Sequence, residues 1–361
     1  MVCRNLECEL AGVNGWRGEA GTGDGMGREF RIGTRRSRLA LRQTELICDA
    51  LRERFPDIVI TPKPIVTQGD RDLNSSLQTI GGKGVFVKEI ERELLDGTID
   101  FAAHSLKDVQ PVLPDGLVLG CFPKRDSPFD CLISPRPYER FDDLPTGARI
   151  GTNSLRRQAQ LLHRRPDLVI VPIRGNIDSR LRKIETEHLD GVILAEAGLN
   201  RLYPSCAEGG AGVEVSETEY LGVCHPELDG LYRLSLRGVL LPAAGQGAMV
   251  VECRADDRET LDLLAAIDDP VTRDEVLTER EFMTTLGGSC TFPIGAYAMA
   301  MVPPETDERC VAFEGLVASP DGTHMFTERN VGTVAGHVGR AVAEEFIEQG
   351  VLPLIDPGVR A

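Results

Sequence analysis

Three junctions of the same form constrain the fold of this chain most strongly. At each one an apolar, strand-like segment ends in a polar turn and a helix-like segment follows, with the strands at 30–33, 149–152 and 168–173. At the first junction Ser37 can cap a helix that runs to about Phe55, because apolar residues recur there at helical spacing. This alternation predicts an α/β protein with parallel strands.

The rest of the chain extends this pattern. Buried strands are predicted at 99–103 and 191–195, an extended segment at 57–66, and helices at 85–95, 155–165, 177–187, 256–267 and 270–286. Residues 203–229 lack clear periodicity, which predicts an inserted loop. Residues 293–348 suggest three strands and a helix, as in a small α+β domain. We therefore expect two α/β domains with a cleft between them, followed by a third domain.

The charge of the chain narrows the possible ligands. A net charge of −16 argues against a nucleic acid or an anionic membrane as partner, because phosphate binding depends on basic patches. No apolar run reaches the roughly 18 residues that a membrane span needs. Of the 40 basic residues, 34 are arginine, whose planar guanidinium pairs bidentately with carboxylates. Their concentration in a few segments predicts a local anion site.

The basic segments lie where such a site would form, since ligands of open α/β sheets bind beyond the carboxyl ends of the strands. The polar residues that follow the strands are Arg35 and Ser37; Thr152, Asn153, Ser154, Arg156 and Arg157; and Arg174 and Arg180. One such junction is adequately explained as a helix cap with solvated arginines, but three indicate a polyanionic ligand. Arg156 and Arg157 cannot share one helix face, so one can reach the ligand while the other is solvated or points into a neighbouring domain.

Two further segments carry reactive groups. Lys107 and Asp108 follow the strand at 99–103, where a carboxylate can stabilise a developing cation or move protons; a structural Lys–Asp pair explains this segment equally well. Cys290 lies in the glycine-rich stretch Leu286–Gly295, which can expose a thiol as a nucleophile or attachment point. In isolation a buried cysteine is the favoured interpretation. The ten cysteines form no metal-ligand pattern, so we expect no metal site.

Taken in order, eight segments of the chain resemble the hydroxymethylbilane synthase (porphobilinogen deaminase) family. They are RIGTRRSRLALRQT, GGKGVFVKEIE, DFAAHSLKDV, IGTNSLRRQAQL, IRGNIDSRLRKI, VILAEAGLNRL, LPAAGQGAMVVE and LGGSCTFPIGAYA, between about Arg31 and Tyr297. The resemblance implies an enzyme of tetrapyrrole and heme biosynthesis that joins four porphobilinogen molecules, releases ammonia, and adds water to release hydroxymethylbilane. It also implies two α/β domains like those of periplasmic binding proteins.

The same resemblance implies roles for particular residues. A dipyrromethane cofactor would be bound covalently by Cys290, and Asp108 would be the main catalytic residue, with Lys107 beside it. The cofactor would also contact Lys83, Thr152, Ser154, Arg156, Arg157 and Asp108. The substrate would contact Arg35, Ser37, Arg174, Arg180 and Gln246. The arginines suit this chemistry because every pyrrole unit carries an acetate and a propionate.

The chain departs from the family pattern at a few positions. Gly287-Gly288-Ser289 stands before Cys290 in place of Glu-Gly-Gly, Gln110 replaces a proline, and Asn153 replaces a serine. Glu196 stands where a small neutral residue is expected, and would repel a carboxylate ligand unless it turns outward or pairs with an arginine.

The resemblance also sets the expected organisation. We expect a disordered extension over 1–28 and domain 1 over 29–123 and 243–266; domain 2 then covers 124–242, and domain 3 covers 267–361 with Cys290. Without a recognisable targeting signal we expect a cytoplasmic location. The resemblance, and not the sequence pattern, implies a monomer. Two other classes fit part of the pattern: an anion-binding protein, which has no use for Asp108 with Cys290, and a cysteine-nucleophile transferase, which needs a base beside Cys290.

Overall fold

Three β-sheets organise the computed structural model, which describes residues 28–67, 87–204, 219–287, 292–301, 309–333 and 336–355. The first sheet has five strands, the second six and the third three. The fold is therefore mixed α/β with a small α+β unit at the carboxyl end. No helix in these ranges is long and apolar enough to cross a membrane.

The first sheet forms where the sequence predicts its leading strands. Its strands are β1 (Glu29–Arg35), β2 (Val59–Ile65), β3 (Phe101–Ser105), β4 (Leu117–Cys121) and β11 (Met249–Arg254). Its helices are α1 (Arg38–Arg54), α2 (Lys88–Leu95) and α7 (Arg258–Ala265). The strand β1 is parallel to both β2 and β3, as predicted. The late strand β11 lies antiparallel between β3 and β4, so the sheet is mixed, while the parallel arrangement predicted for the segment up to residue 108 holds for β1, β2 and β3.

The second sheet repeats the arrangement. Its strands are β5 (Asp130–Ser134), β6 (Arg149–Gly151), β7 (Val169–Val171), β8 (Gly191–Ala195), β9 (Glu219–Tyr220) and β10 (Tyr232–Ser235). Its helices are α3 (Leu155–Arg164), α4 (Ile177–Thr186), α5 (Glu196–Leu202) and α6 (Leu221–Cys224). The strands β6, β7 and β8 are parallel, whereas β5 runs antiparallel to β8 and β10. The strands β4, β5 and β10 were not predicted from the sequence.

The predicted loop over 203–229 is wrong for its final part. Residues 219–220 pair with β10, and Leu221 and Leu228 are buried in the core of the second sheet. Tyr203, at the start of the range, is also buried there. These three apolar residues are too few to show periodicity in the sequence, yet they pack into the core at one edge of the sheet. Residues 205–218 lie outside the described ranges.

The third unit is attached to the other two at separate points. It contains β12 (Ile294–Met301), β13 (Cys310–Ala318), β14 (Met325–Thr333), α8 (Pro270–Thr285), α9 (Val338–Glu348) and α10 (Leu352–Ile355). The buried carboxylate of Glu279 on α8 accepts hydrogen bonds from Arg125 and from the amide of Gly245. The turn between β13 and β14 packs on α3, where Gln158 donates to the carbonyl of Pro320 at 2.9 Å. Both contacts hold this unit close to the cleft described next.

Candidate active site

A cleft of about 610 Å³ lies between the first and second sheets. Seven of the predicted site residues line it: Arg35, Ser37, Lys107, Asp108, Arg157, Arg174 and Arg180. They come from separate junctions in the sequence, and the carboxyl ends of β1 and β3 bring the first four together. The expectation of a cleft at these strand ends is therefore confirmed by the position of the cavity.

The basic character of this cleft contrasts with the acidic chain. Its lining contains eight basic side chains and two acidic ones; the basic residues are Arg35, Arg38, Lys107, Arg157, Arg174, Arg180, Arg182 and Arg201, and the acidic ones are Asp108 and Asp178. Repulsion among cations is visible at Arg180. Burial is the largest effect and lowers its pKa to about 10, with Arg157 and Arg174 acting in the same direction and Asp108 opposing them. An anionic ligand would relieve this repulsion.

Two helix amino termini border the cleft. Ser37 is the N-cap of α1 and accepts a hydrogen bond from the amide of Ala40 at 3.3 Å. Asn176 is the N-cap of α4, where its side chain accepts from the amide of Ser179 at 2.9 Å. Both caps form where a polar turn interrupts the apolar pattern. The positive ends of these helices add to the attraction for an anion.

Lys107 and Asp108 enter the cleft on a single turn of 3₁₀ helix directly after β3. Buried Leu106 anchors this turn, and its amide donates to the carbonyl of Ala248 at 3.1 Å. The Asp108 side chain is exposed, whereas Lys107 is half-buried and its Nζ donates to Oε1 of Gln246 at 3.3 Å. Burial lowers the pKa of Lys107 to about 8, although Asp108 opposes the shift. This ammonium therefore titrates much closer to neutrality than an ordinary lysine.

The consecutive arginines of α3 point in different directions. Arg157 lines the cleft, but Arg156 does not: its Nη2 donates to Asp130 at 2.7 Å and its Nη1 donates to the carbonyl of Leu241. Consecutive helical residues differ by about 100° around the axis, which explains the divergence. The expectation that only one of them reaches the cleft agrees with this arrangement.

Three other predicted contacts lie behind the lining of the cleft. Thr152 is buried, and its hydroxyl accepts from the amide of Ser154 at 3.2 Å, so the pair shapes the turn before α3. Gln246 is also buried and contacts Lys107 rather than the open cavity. Cys290 and Lys83 lie outside the described residues. Direct contacts of Thr152, Ser154, Arg156 and Gln246 with a ligand stay predictions.

The described cysteines are mostly core residues. Cys48, Cys121, Cys131 and Cys253 are buried, and burial raises the pKa of each thiol, that of Cys253 to about 12. Such thiols are poor nucleophiles at neutral pH. Within the described ranges, no group of three or more His, Cys, Asp or Glu side chains is arranged to hold a metal ion.

The departures from the family pattern have local explanations. Glu196 lies outside the cleft lining, where its carboxylate accepts from the hydroxyls of Ser127 at 2.6 Å and Ser235 at 2.7 Å, so it does not face a ligand in the cleft. Gln110 follows the 3₁₀ turn that carries Lys107 and Asp108, and Arg280 of α8 donates to its carbonyl at 2.9 Å. Asn153 is exposed and lines the cleft.

Three arginines of the cleft were not predicted from the sequence: Arg38, Arg182 and Arg201. Arg38 directly follows the Ser37 cap, so its position in the first junction was a usable signal. Arg201 is buried at the end of α5 and donates to the carbonyl of Gly247. Nothing in its local sequence distinguishes it from a solvated helix residue, because its partner is distant in the chain.

The fold and the cleft define a class: two α/β units that enclose a cleft lined mainly by basic side chains, with the carboxylates of Asp108 and Asp178 among them. Comparison with known families is more specific. Residues 30–262 match the family model described as "Porphobilinogen deaminase, dipyromethane cofactor binding domain", and residues 274–348 match "Porphobilinogen deaminase, C-terminal domain". The chain belongs to the porphobilinogen deaminase family.

Curated relatives agree over almost their whole length. The chain is 49% identical over 325 residues to a porphobilinogen deaminase of Limosilactobacillus reuteri (strain DSM 20016), covering 90% of this chain and 97% of that protein. It is 44% identical over 329 residues to one of Staphylococcus carnosus (strain TM300), covering 91% and 98%. Among solved structures, a nutrient binding protein from Burkholderia cenocepacia bound to methionine is similar with a TM-score of 0.35 and 11% identity, over 68% of this chain and 94% of that chain.

Proposed function

We propose that this chain catalyses the reaction of its family: four porphobilinogen molecules are joined head to tail, four ammonias leave, and one water is consumed as hydroxymethylbilane is released. The observation that carries the proposal is the position of the cleft. All of its lining residues fall within the range that matches the cofactor-binding model, and they concentrate positive charge around Asp108 in an acidic protein.

The lining suits a ligand that gains carboxylates as it grows. Each porphobilinogen contributes an acetate and a propionate, and guanidinium groups bind carboxylates in bidentate geometry. Arg35, Arg157, Arg174 and Arg180 are the proposed contacts, with Ser37 at the adjoining helix cap. Arg156, Thr152, Ser154 and Gln246 support them from behind, and Lys83 contributes from its glycine-rich segment.

The chemistry assigned to the protein is carried by Asp108 and Lys107. When bound, dipyrromethane joined to Cys290 by a thioether supplies the pyrrole carbon from which the product is built. The carboxylate of Asp108 stabilises positive charge on the substrate pyrrole as the C–N bond to ammonia breaks, and accepts the proton that the new C–C bond displaces. Lys107 holds a ligand carboxylate beside it.

The remaining assignments follow the same reasoning. We assign domain 1 to residues 29–123 with 243–266, domain 2 to 124–242 and domain 3 to 267–361, so that each sheet has its own domain. The enzyme is proposed to act as a monomer in the cytoplasm, with porphobilinogen as its small-molecule partner.

The intact mass of the purified chain tests the proposal. We expect the wild type to exceed the mass of its sequence by two porphobilinogen units less two ammonias, because the cofactor stays attached through Cys290. Cys290→Ser removes the proposed attachment atom and should have the bare mass. Cys310→Ser, which alters a half-buried thiol in the same part of the chain, should keep the extra mass and serves as the control.

A wild-type mass equal to that of the bare chain, unchanged after incubation with porphobilinogen or hydroxymethylbilane, would remove the synthase assignment. An anion-binding protein would then be the better description of the cleft.

A further inference from the structure

One buried carboxylate joins the residues that surround the cleft. Asp130 begins β5 and is fully buried. Its Oδ2 accepts from Nη2 of Arg156 at 2.7 Å, and its Oδ1 accepts from Nη2 of Arg157 at 2.7 Å and from Nε2 of Gln246 at 3.0 Å. Side chains from a helix of the second unit and from the segment before β11 therefore converge on one residue.

Asp130 determines where the two guanidinium groups can lie. Two buried cations side by side are costly unless a counter-charge and hydrogen bonds compensate them. Burial raises the pKa of Asp130, but the charges and hydrogen bonds of Arg156 and Arg157 outweigh this effect and hold the pKa well below its usual range. Arg157 also donates to the carbonyl of Ile193 at 2.8 Å. These bonds fix the orientation of its guanidinium, and the part of the side chain that they leave uncovered lines the cleft.

Gln246 extends the same network to Lys107. Its side-chain nitrogen donates to the carbonyl of Pro128 at 2.7 Å and to Asp130 at 3.0 Å, and both partners only accept. The amide oxygen must then face the other way, where the ammonium of Lys107 donates to it at 3.3 Å. Reversing this amide would break all three contacts, so Asp130 and the carbonyl of Pro128 together fix the acceptor that Lys107 uses.

We propose that Asp130 is a positioning residue of the active site: it orients Arg157 toward ligand carboxylates and, through Gln246, fixes the ammonium of Lys107. The inference rests on the function proposed above for its activity readout only. Asp130 lies outside the lining of the cleft, so it acts through these neighbours rather than on the substrate. Its negative charge also opposes the loss of the proton from Lys107, which burial and the two arginines favour.

The first test is an NMR titration of the full chain labelled at the Cε of lysine. The chain has only six lysines, and the Lys107 signal is identified by its loss in Lys107→Met. Asp130→Asn keeps the shape of the side chain and removes its charge, so we expect Lys107 to lose its proton at a lower pH than in the wild type. Asp268→Asn is the matched control, because Asp268 pairs bidentately with Arg273 and both residues lie outside the cleft lining.

An unchanged Lys107 titration in folded Asp130→Asn would overturn the proposal. If that variant does not fold, Gln246→Met tests the link on which the proposal depends: it leaves the ion pairs of Asp130 in place and removes the amide between Asp130 and Lys107. We expect the pKa of Lys107 to fall there too, since the ammonium loses an acceptor, and no change would again contradict the proposal.

Steady-state kinetics distinguish a positioning role of Asp130 from a purely structural one, because a purely structural residue would not change kcat/KM or the pH profile of the folded enzyme. We expect kcat/KM of Asp130→Asn to fall by about 10- to 100-fold, as for a misplaced binding group, and the alkaline limb of its pH profile to shift to lower pH. Asp268→Asn should retain both. A less stable Asp130→Asn with wild-type kcat, KM and pH profile would make Asp130 structural only. A wild type without turnover would refute the proposed function, while the titration would still decide the role of Asp130.

Discussion

At the scale of single residues, the basic side chains of the cleft differ from the proposed catalytic carboxylate in how firmly they are held. Asp108 is exposed at the end of a short turn, whereas the charges of Arg157 and Lys107 are fixed by neighbours behind the lining. Because the Asp108 carboxylate is exposed, it can approach a ligand without first breaking contacts with the protein interior. Its contribution should therefore appear in turnover and hardly at all in folding.

Replacement of Asp108 tests this separation. We expect Asp108→Asn to lower kcat by roughly 10²- to 10⁴-fold, the range typical of a lost acid–base group, with a thermal unfolding midpoint close to that of the wild type. Asp115→Asn, an exposed carboxylate of the following loop outside the cleft lining, is the control and should turn over normally. Equal kcat values for the two variants would contradict the assigned role of Asp108.

At the scale of elements, α3 is held in two places: Asp130 pairs with its first turn, and the third unit packs on its middle. It carries Arg156 and Arg157 at its start, and the turn between β13 and β14 packs on its middle. Gly322 in that turn has φ +73°, and its carbonyl contacts Nδ1 of His163 at 2.9 Å. The unit that contains Cys290 in sequence is thereby fixed to the helix that presents the cleft arginines.

Gly322→Ala should loosen this contact. A Cβ there would lie 2.4 Å from the carbonyl oxygen of Ala159, which is backbone and cannot move aside easily. Gly350→Ala is the control, since it has φ +80° but no atom within 4 Å of the added Cβ, and should cost only the backbone strain of about 1–3 kcal/mol. In chemical denaturation we expect a larger loss of unfolding free energy for Gly322→Ala, together with a higher KM. Equal losses of unfolding free energy in the two variants would mean that the packing of the turn on α3 is not disturbed by the added methyl group.

At the scale of the whole molecule, Arg38 joins the first unit to the second beside the cleft. Its Nη1 lies 2.9 Å from Oε2 of Glu227 and 3.4 Å from Oδ1 of Asp178, and its guanidinium stacks 5.2 Å from the centre of the Tyr203 ring. Glu227 belongs to the segment whose sequence lacks periodicity. That segment therefore supplies an acceptor for a contact between units that the strand and helix pattern alone does not contain.

Loss of Arg38 should weaken closure of the cleft more than folding of either unit. Exposed ion pairs and a cation–π contact together are worth about 1 kcal/mol, which corresponds to roughly a fivefold change in an equilibrium. We expect Arg38→Gln to raise KM by about that factor. Arg42→Gln one turn along α1 removes only an ion pair with Glu45 within the helix, and should leave KM unchanged. The same KM in both variants would exclude a role for the Arg38 contact in closure.

The sequence by itself determined the local architecture and the chemistry of the cleft. Strand and helix periods, the Ser37 cap and the polar turns are short-range signals, so β1, β6 and the helices after them form where predicted, and the family follows from ordered segments. The tertiary structure alone decided which residues meet: the antiparallel insertion of β11, the turn of Arg156 away from the cleft, and the convergence of Arg157 and Gln246 on Asp130. Such contacts depend on strand order and on compensation of buried charge between positions that are distant in the chain, from 27 residues for Arg157 and Asp130 to 116 for Gln246 and Asp130, and no local pattern encodes them.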